Sequence, residues 1–175
     1  MIKSLIKPVV HAVTGNRRFY YRHLERLGTR SAGARVLEIG SGKQVKGEDA
    51  YSARHLFPDA AEFRQTDFNP EFGHEVLDIT AMDITDEYDI VLCLNVLEHV
   101  YDYGQAVQNL RRALRDGGVV AAAVPFMFPL HDEPHDYWRF TEHALRRMFA
   151  DFSSVEVSVK GPRALPYGLF VIAEK

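Results

Sequence analysis

Two groups of side chains in this chain have types and spacings suited to chemistry. The first is Glu38 with Gly40, Ser41 and Gly42, in the run Val36-Leu37-Glu38-Ile39-Gly40-Ser41-Gly42. Glycine lets a backbone turn sharply and come close to a ligand, and a carboxylate at the carboxyl end of a strand lies where open α/β sheets bind ligands. Such a floor fits a nucleotide-type cofactor, and Glu38 suits a cationic group on it better than a pyrophosphate. The second group follows a later apolar run, in the segment 125–140, and holds His131, His135, Asp132, Glu133, Asp136, Tyr137, Trp138 and Arg139. Imidazole is the side chain that titrates near neutrality, so His131 and His135 are the segment's candidates for moving a proton, His135 being favoured. The alternative for each is a hydrogen bond to the loop backbone. A metal drawn from His131, Asp132, Glu133 and His135 is disfavoured because Pro134 prevents a regular helical histidine pair, and no metal is expected.

Spacing separates the glycine-loop chemistries. A phosphate-binding Walker loop needs a glycine five residues before Gly42-Lys43 and a Ser or Thr after it, where Leu37 and Gln44 stand. The dinucleotide fingerprint needs a third glycine where Val45 stands, which demotes a nicotinamide or flavin enzyme without removing it. An isolated Gly-x-Gly can also be only a strand-ending turn. Further acidic residues argue against that reading: Asp67 and Asp78 each follow a short apolar or alternating run. A carboxylate after a second strand can accept both hydroxyls of a ribose, and one after a third can accept from an adenine amino group.

The elements that must position these residues alternate. Asn16 is expected to cap a helix carrying Phe19, Tyr20, Leu24 and Leu27, with Gly28 ending it. Strands are predicted at 35–39, 62–67, 75–78, 89–94 and 119–124, and a helix near 48–57 stops before Pro58. Tyr103, Ala106, Val107, Leu110 and Leu114 recur at helical spacing, with Gly117-Gly118 expected to end that helix. Thr141 is placed to cap a last helix, and the runs around Val157 and Phe170 are expected to form an antiparallel edge pair. Strands alternating with helices imply an α/β three-layer domain.

A chain of 175 residues, 46% hydrophobic and 26% charged, has room for one domain with a sizeable core and none for a second catalytic domain. A net charge of −3 leaves no basic footprint of the kind nucleic-acid binders show, so no nucleic-acid partner is expected. The single cysteine, Cys93, lies in an apolar run and reads as a core residue, compatible with a cytoplasmic protein. The segment 1–13 is apolar, but Lys7 and Pro8 interrupt it short of a membrane span; it is expected to dock on the domain or a partner, with peripheral membrane contact the minor alternative. Residues 1–30 are thus read as an apolar segment and lead-in helix, and 31–175 as the domain.

In this order, the motifs resemble those of the class I S-adenosylmethionine-dependent methyltransferases. Val36 to Gly42 is similar to their first motif, Asp67 to their ribose-binding acidic residue, and Asp78-Ile79 to their adenine-contacting pair. Tyr88-Asp89-Ile90-Val91-Leu92-Cys93-Leu94-Asn95-Val96-Leu97-Glu98-His99-Val100 and Leu114-Arg115-Asp116-Gly117-Gly118-Val119 resemble the family's later motifs. The resemblance implies a Rossmann-like three-layer sandwich with a mostly parallel sheet, S-adenosylmethionine as cofactor, and contacts from Glu38, Gly40, Ser41, Gly42, Asp67, Phe68, Asp78, Ile79 and Asn95. It departs from the family at Gln44, which replaces a third glycine, and in the short stretch 68–74, which leaves little room for the usual helix. The implied reaction is methyl transfer to a small-molecule, sugar or lipid-linked acceptor, faced by His135, His131, Tyr137, Trp138 and Arg139. His99 is expected to pack and hydrogen-bond, not to catalyse. A regulatory protein that binds the cofactor without turnover is the alternative from another class.

Overall fold

The computed structural model describes residues 16–45 and 51–175. The expectations for 1–13 and for the first part of the 48–57 helix fall outside them. A seven-stranded sheet runs in the order β3-β2-β1-β4-β5-β7-β6. Its strands are β1 (Arg35–Ile39), β2 (Glu62–Asp67), β3 (Glu75–Val76), β4 (Tyr88–Leu94), β5 (Leu114–Pro125), β6 (Ser154–Lys160) and β7 (Gly168–Glu174). Strands β1 to β5 are parallel, and β7 is antiparallel to both β5 and β6, giving the mostly parallel sheet and antiparallel C-terminal pair the sequence implies.

Alternation along the central strands makes two cores. Leu37, Ile39, Val91, Cys93, Val120, Ala122, Leu169 and Val171 face one side, where α2 (Tyr103–Ala113) and α3 (Glu142–Met148) bury Ala106, Val107, Leu110 and Leu145. Val36, Ile90, Leu92, Ala121, Ala123 and Phe170 face the other side, covered by Tyr20 and Leu24 of α1 (Asn16–Gly28). Asp102 and Thr141 cap α2 and α3 by accepting from the Gln105 and Ala144 amides.

Three local expectations are corrected. Asn16 does not cap α1 but is helical, the first described residue of it, and its side chain ties the helix to the C-terminal strand pair: Nδ2 donates to the Tyr167 carbonyl at 3.3 Å and Oδ1 accepts from Lys160 Nζ at 2.9 Å. Gly117-Gly118 does not end α2; the chain passes from Ala113 straight into β5, and Gly117, at φ +76°, sits where the β4–β5 register shifts. In the described part of 48–57 the only helical residues are a 3₁₀ turn, Arg54–Leu56. There the Ser52 hydroxyl and Ala53 N–H are drawn to Glu38, so long-range hydrogen bonds override the local pattern. Gly28 is explained by proximity, since a Cβ there would lie 2.0 Å from the Leu56 carbonyl oxygen.

Candidate active site

Parallel register brings the carboxyl ends of β1, β2, β4 and β5 to one edge: Ile39 pairs with Thr66 and Cys93, and Leu94 with Ala123. On the β1–β2 side the turn is fixed from beneath. The Gly40 and Ser41 amides both donate to the Thr66 carbonyl, at 3.0 and 2.9 Å. Gly40 has φ +74°, and a Cβ on it would stand 2.3 Å from Val96 Cγ2, so conformation and space both demand glycine. Asp67, 8% exposed, accepts from the Gly42 amide at 2.9 Å and the Asn69 amide at 3.0 Å. The first contact links the glycine turn to the end of β2.

Glu38 lies under this turn. It is 2% exposed, and its carboxylate accepts from the Ser41 hydroxyl at 2.8 Å, the Ser52 hydroxyl at 2.5 Å and the Ala53 amide at 2.7 Å. Burial raises its pKa above the ordinary carboxylate value, and the three donors oppose that shift. Its carboxylate is committed to holding the loop. With Ser41 also turned inward, no side chain rises from the Gly40-to-Gly42 turn beside Asp67; Val96 packs at Gly40 and Tyr51 at Gly42, and a turn of this kind lets a nucleoside-bearing ligand come close to the main chain. Phe68, 69% exposed, stands beside Asp67. Asp78 closes a turn through Oδ1, which accepts from the Thr80 amide and hydroxyl at 2.8 and 2.7 Å. The Ile79 side chain belongs to the main core, and exposed Asn95, at φ +54°, begins the turn after β4.

On the β4–β5 side, the segment after β5 folds back over a 3₁₀ turn, Leu97–His99, through the Tyr137 and Trp138 amides, which donate to the Glu98 carbonyl at 2.9 and 3.2 Å. Trp138 donates from Nε1 to the Val100 carbonyl at 3.1 Å and packs edge-on against Tyr103. Arg139 grips Asp136 with two hydrogen bonds, 2.6 and 2.8 Å. That grip holds the Asp136 carboxyl well below the usual carboxylate range. Trp138 and Arg139 therefore build the loop. Tyr137 and His135 stand at its exposed lip, with Tyr137 Oη 2.8 Å from His135 Nδ1 and its ring edge-on to exposed Tyr101.

His131 is set deeper, its ring 4.8 Å from that of His99. Beneath both lies a residue sequence reasoning passed over. Glu98 is fully buried, and among the described residues neither carboxylate oxygen has a hydrogen-bond partner; only its own amide leans toward it, short of bonding geometry. Burial pushes this carboxyl up to about 8. Burial also lowers the His99 imidazole from its ordinary value, favouring a neutral ring. The available signal was the Glu98-His99 pair at a strand end with a second histidine after the next strand.

The methyltransferase domain family matches residues 13–154. A ubiquinone biosynthesis O-methyltransferase of Nitrobacter winogradskyi is 29% identical over 101 residues, covering 53% of this chain and 39% of that protein. The chain thus spans well under half of that relative's length. The N-methyltransferase NodS of Bradyrhizobium japonicum superposes with a TM-score of 0.69 at 18% identity, over 93% of this chain and 97% of that one. A Burkholderia thailandensis 1,6-didemethyltoxoflavin-N1-methyltransferase, solved with 1,6-didemethyltoxoflavin and S-adenosylhomocysteine, gives 0.64 at 21% identity, over 97% and 80%. Sheet order, glycine turn and family match agree: this chain belongs to the class I S-adenosylmethionine-dependent methyltransferases.

Proposed function

We propose that the protein transfers a methyl group to a hydroxyl-bearing small molecule, sugar or lipid-linked acceptor held between the glycine turn and the 126–140 loop. The observation that carries this is the presence, at one sheet edge, of a glycine turn pinned to Asp67 and a loop whose exposed polar and aromatic groups line its lip. When bound, S-adenosylmethionine supplies an electrophilic methyl; an acceptor oxygen attacks the carbon, the carbon–sulfur electron pair stays on sulfur, and the acceptor releases a proton.

The chain's own part is alignment, exclusion of water and proton removal. In this reading Asp67 takes the ribose hydroxyls, Asp78 the adenine amino group, and the bare turn, with Asn95 opposite, the amino-acid end. Glu38 shapes that turn from below. His135, braced by Tyr137 through Nδ1, leaves Nε2 for the acceptor proton. The O-methyltransferase named above supports an oxygen acceptor, while the two N-methyltransferases show that the fold also serves nitrogen.

The test uses labelled S-adenosylmethionine with a panel of hydroxylated acceptors. Once an acceptor is found, His135→Ala should lower single-turnover rates by roughly 10²–10⁴-fold with cofactor affinity unchanged. Full turnover in that variant would remove His135 as the base.

A further inference from the structure

We propose that Glu98, His99 and His131 form a binding site for one divalent transition-metal cation of the Zn²⁺ type. One potential ligand atom from each lies within 4.8 Å of the others. The stronger reason is how their hydrogen bonds are distributed. His99 Nδ1 is 3.0 Å from the His135 carbonyl oxygen, an acceptor, so Nδ1 carries the proton and Nε2 is a bare lone pair. His131 Nδ1 is 3.2 Å from both the Pro129 carbonyl oxygen and Asp136 Oδ2, again acceptors, so its Nε2 is bare as well. Glu98 brings two more acceptor oxygens, fully buried and without a donor, with Oε1 3.9 Å from His99 Nε2. A fully buried carboxylate and two half-buried ring nitrogens, all presenting lone pairs, can be satisfied together by one shared cation.

The surroundings have the second layer that metal-binding histidines use, a carbonyl or carboxylate holding the far ring nitrogen. Asp136, locked by Arg139, serves His131, and the His135 carbonyl serves His99. Two imidazoles and one carboxylate match Zn²⁺ and neighbouring first-row ions and leave a position open. Asp132, with Oδ2 3.9 Å from His99 Nε2 and 81% of its side chain exposed, can swing in as a fourth ligand. A cation about 2.0–2.2 Å from each ligand wants ligand spacings near 3.3 Å, so the cluster must contract by up to roughly 1.5 Å. His131, on the loop, is placed to make that movement. A site here borders the acceptor space, a relation that rests on the function proposed above; the metal site itself does not.

Calorimetric titration of chelator-treated, refolding-checked protein with Zn²⁺ alone, alongside Co²⁺ absorption spectra, tests the site without cofactor or acceptor. We expect one equivalent bound and the visible bands of four- or five-coordinate Co²⁺. Glu98→Gln and His131→Asn should each weaken binding by more than about 100-fold, since loss of second-layer partners alone costs 10–100-fold. His143→Ala, at an exposed histidine outside the cluster, should bind as the parent does. If Glu98→Gln fails to fold, His131→Asn, altered on the loop, decides. Absence of a one-equivalent site, or parent-like binding by His131→Asn, overturns the proposal. S-adenosylhomocysteine titrated into the same metal-free protein reports on the cofactor site separately, so either reading can fail while the other stands.

Discussion

The two halves of the site are built on opposite electrostatic plans. Around β1 and β2, buried carboxylate oxygens meet donors: Glu38 takes two hydroxyls and an amide, and Asp67 takes two amides. Around β4 and β5, the buried Glu98 oxygens meet no donor among the described residues, and the free nitrogens of the neighbouring histidines are acceptors too. A fully satisfied network is rigid and complete on its own, whereas an unsatisfied one stays costly until something fills it. The first half is therefore preformed, and the cation proposed above would complete the second.

That contrast predicts opposite responses to removing the two buried carboxylates. Glu38→Ala strips three buried donors of their acceptor, and at about 1–3 kcal/mol for each group left unsatisfied, partly recovered by rotating hydroxyls, it should cost about 3–5 kcal/mol of stability. Urea unfolding of parent and variant measures this, and equal midpoints would mean the Glu38 network does not hold the turn. Glu98→Gln in metal-free protein should do the reverse, raising stability by about 1 kcal/mol at neutral pH, because folding forces Glu98, ionised in the unfolded chain, to take up a proton or bury an unpaired charge, and Gln does neither. A loss of several kcal/mol there would show that Glu98 has a donor after all and would erase the contrast.

The same contrast explains what could be read from the chain. Strands β1 and β2 begin and end where the sequence places them because burial on both faces of β1 and polar boundaries on each are local properties. The Asp67 position follows once those strand ends are known. Glu98 could not be recognised in this way. In sequence it is an acidic residue in a short polar-edged turn, and its burial comes from the 126–140 loop, tied to it by the Tyr137 and Trp138 amides some forty residues on. Likewise Ser52 and Ala53 sit within a stretch patterned for helix, and only Glu38, across the sheet edge, draws them into another conformation. From the sequence Arg139 could equally hold an anionic acceptor or pair with Asp136, and in the structure it pairs with Asp136.

The most direct test of a preformed cofactor half is calorimetry of S-adenosylhomocysteine binding to the parent and to Asp67→Ala. With the turn already built, the folded parent should bind one equivalent without metal. The variant should remain folded and bind more weakly by about 1.5–3 kcal/mol, roughly 10- to 100-fold, for the loss of charge-assisted hydrogen bonds. Equal affinity in the two proteins, or no binding by the folded parent, would contradict the account.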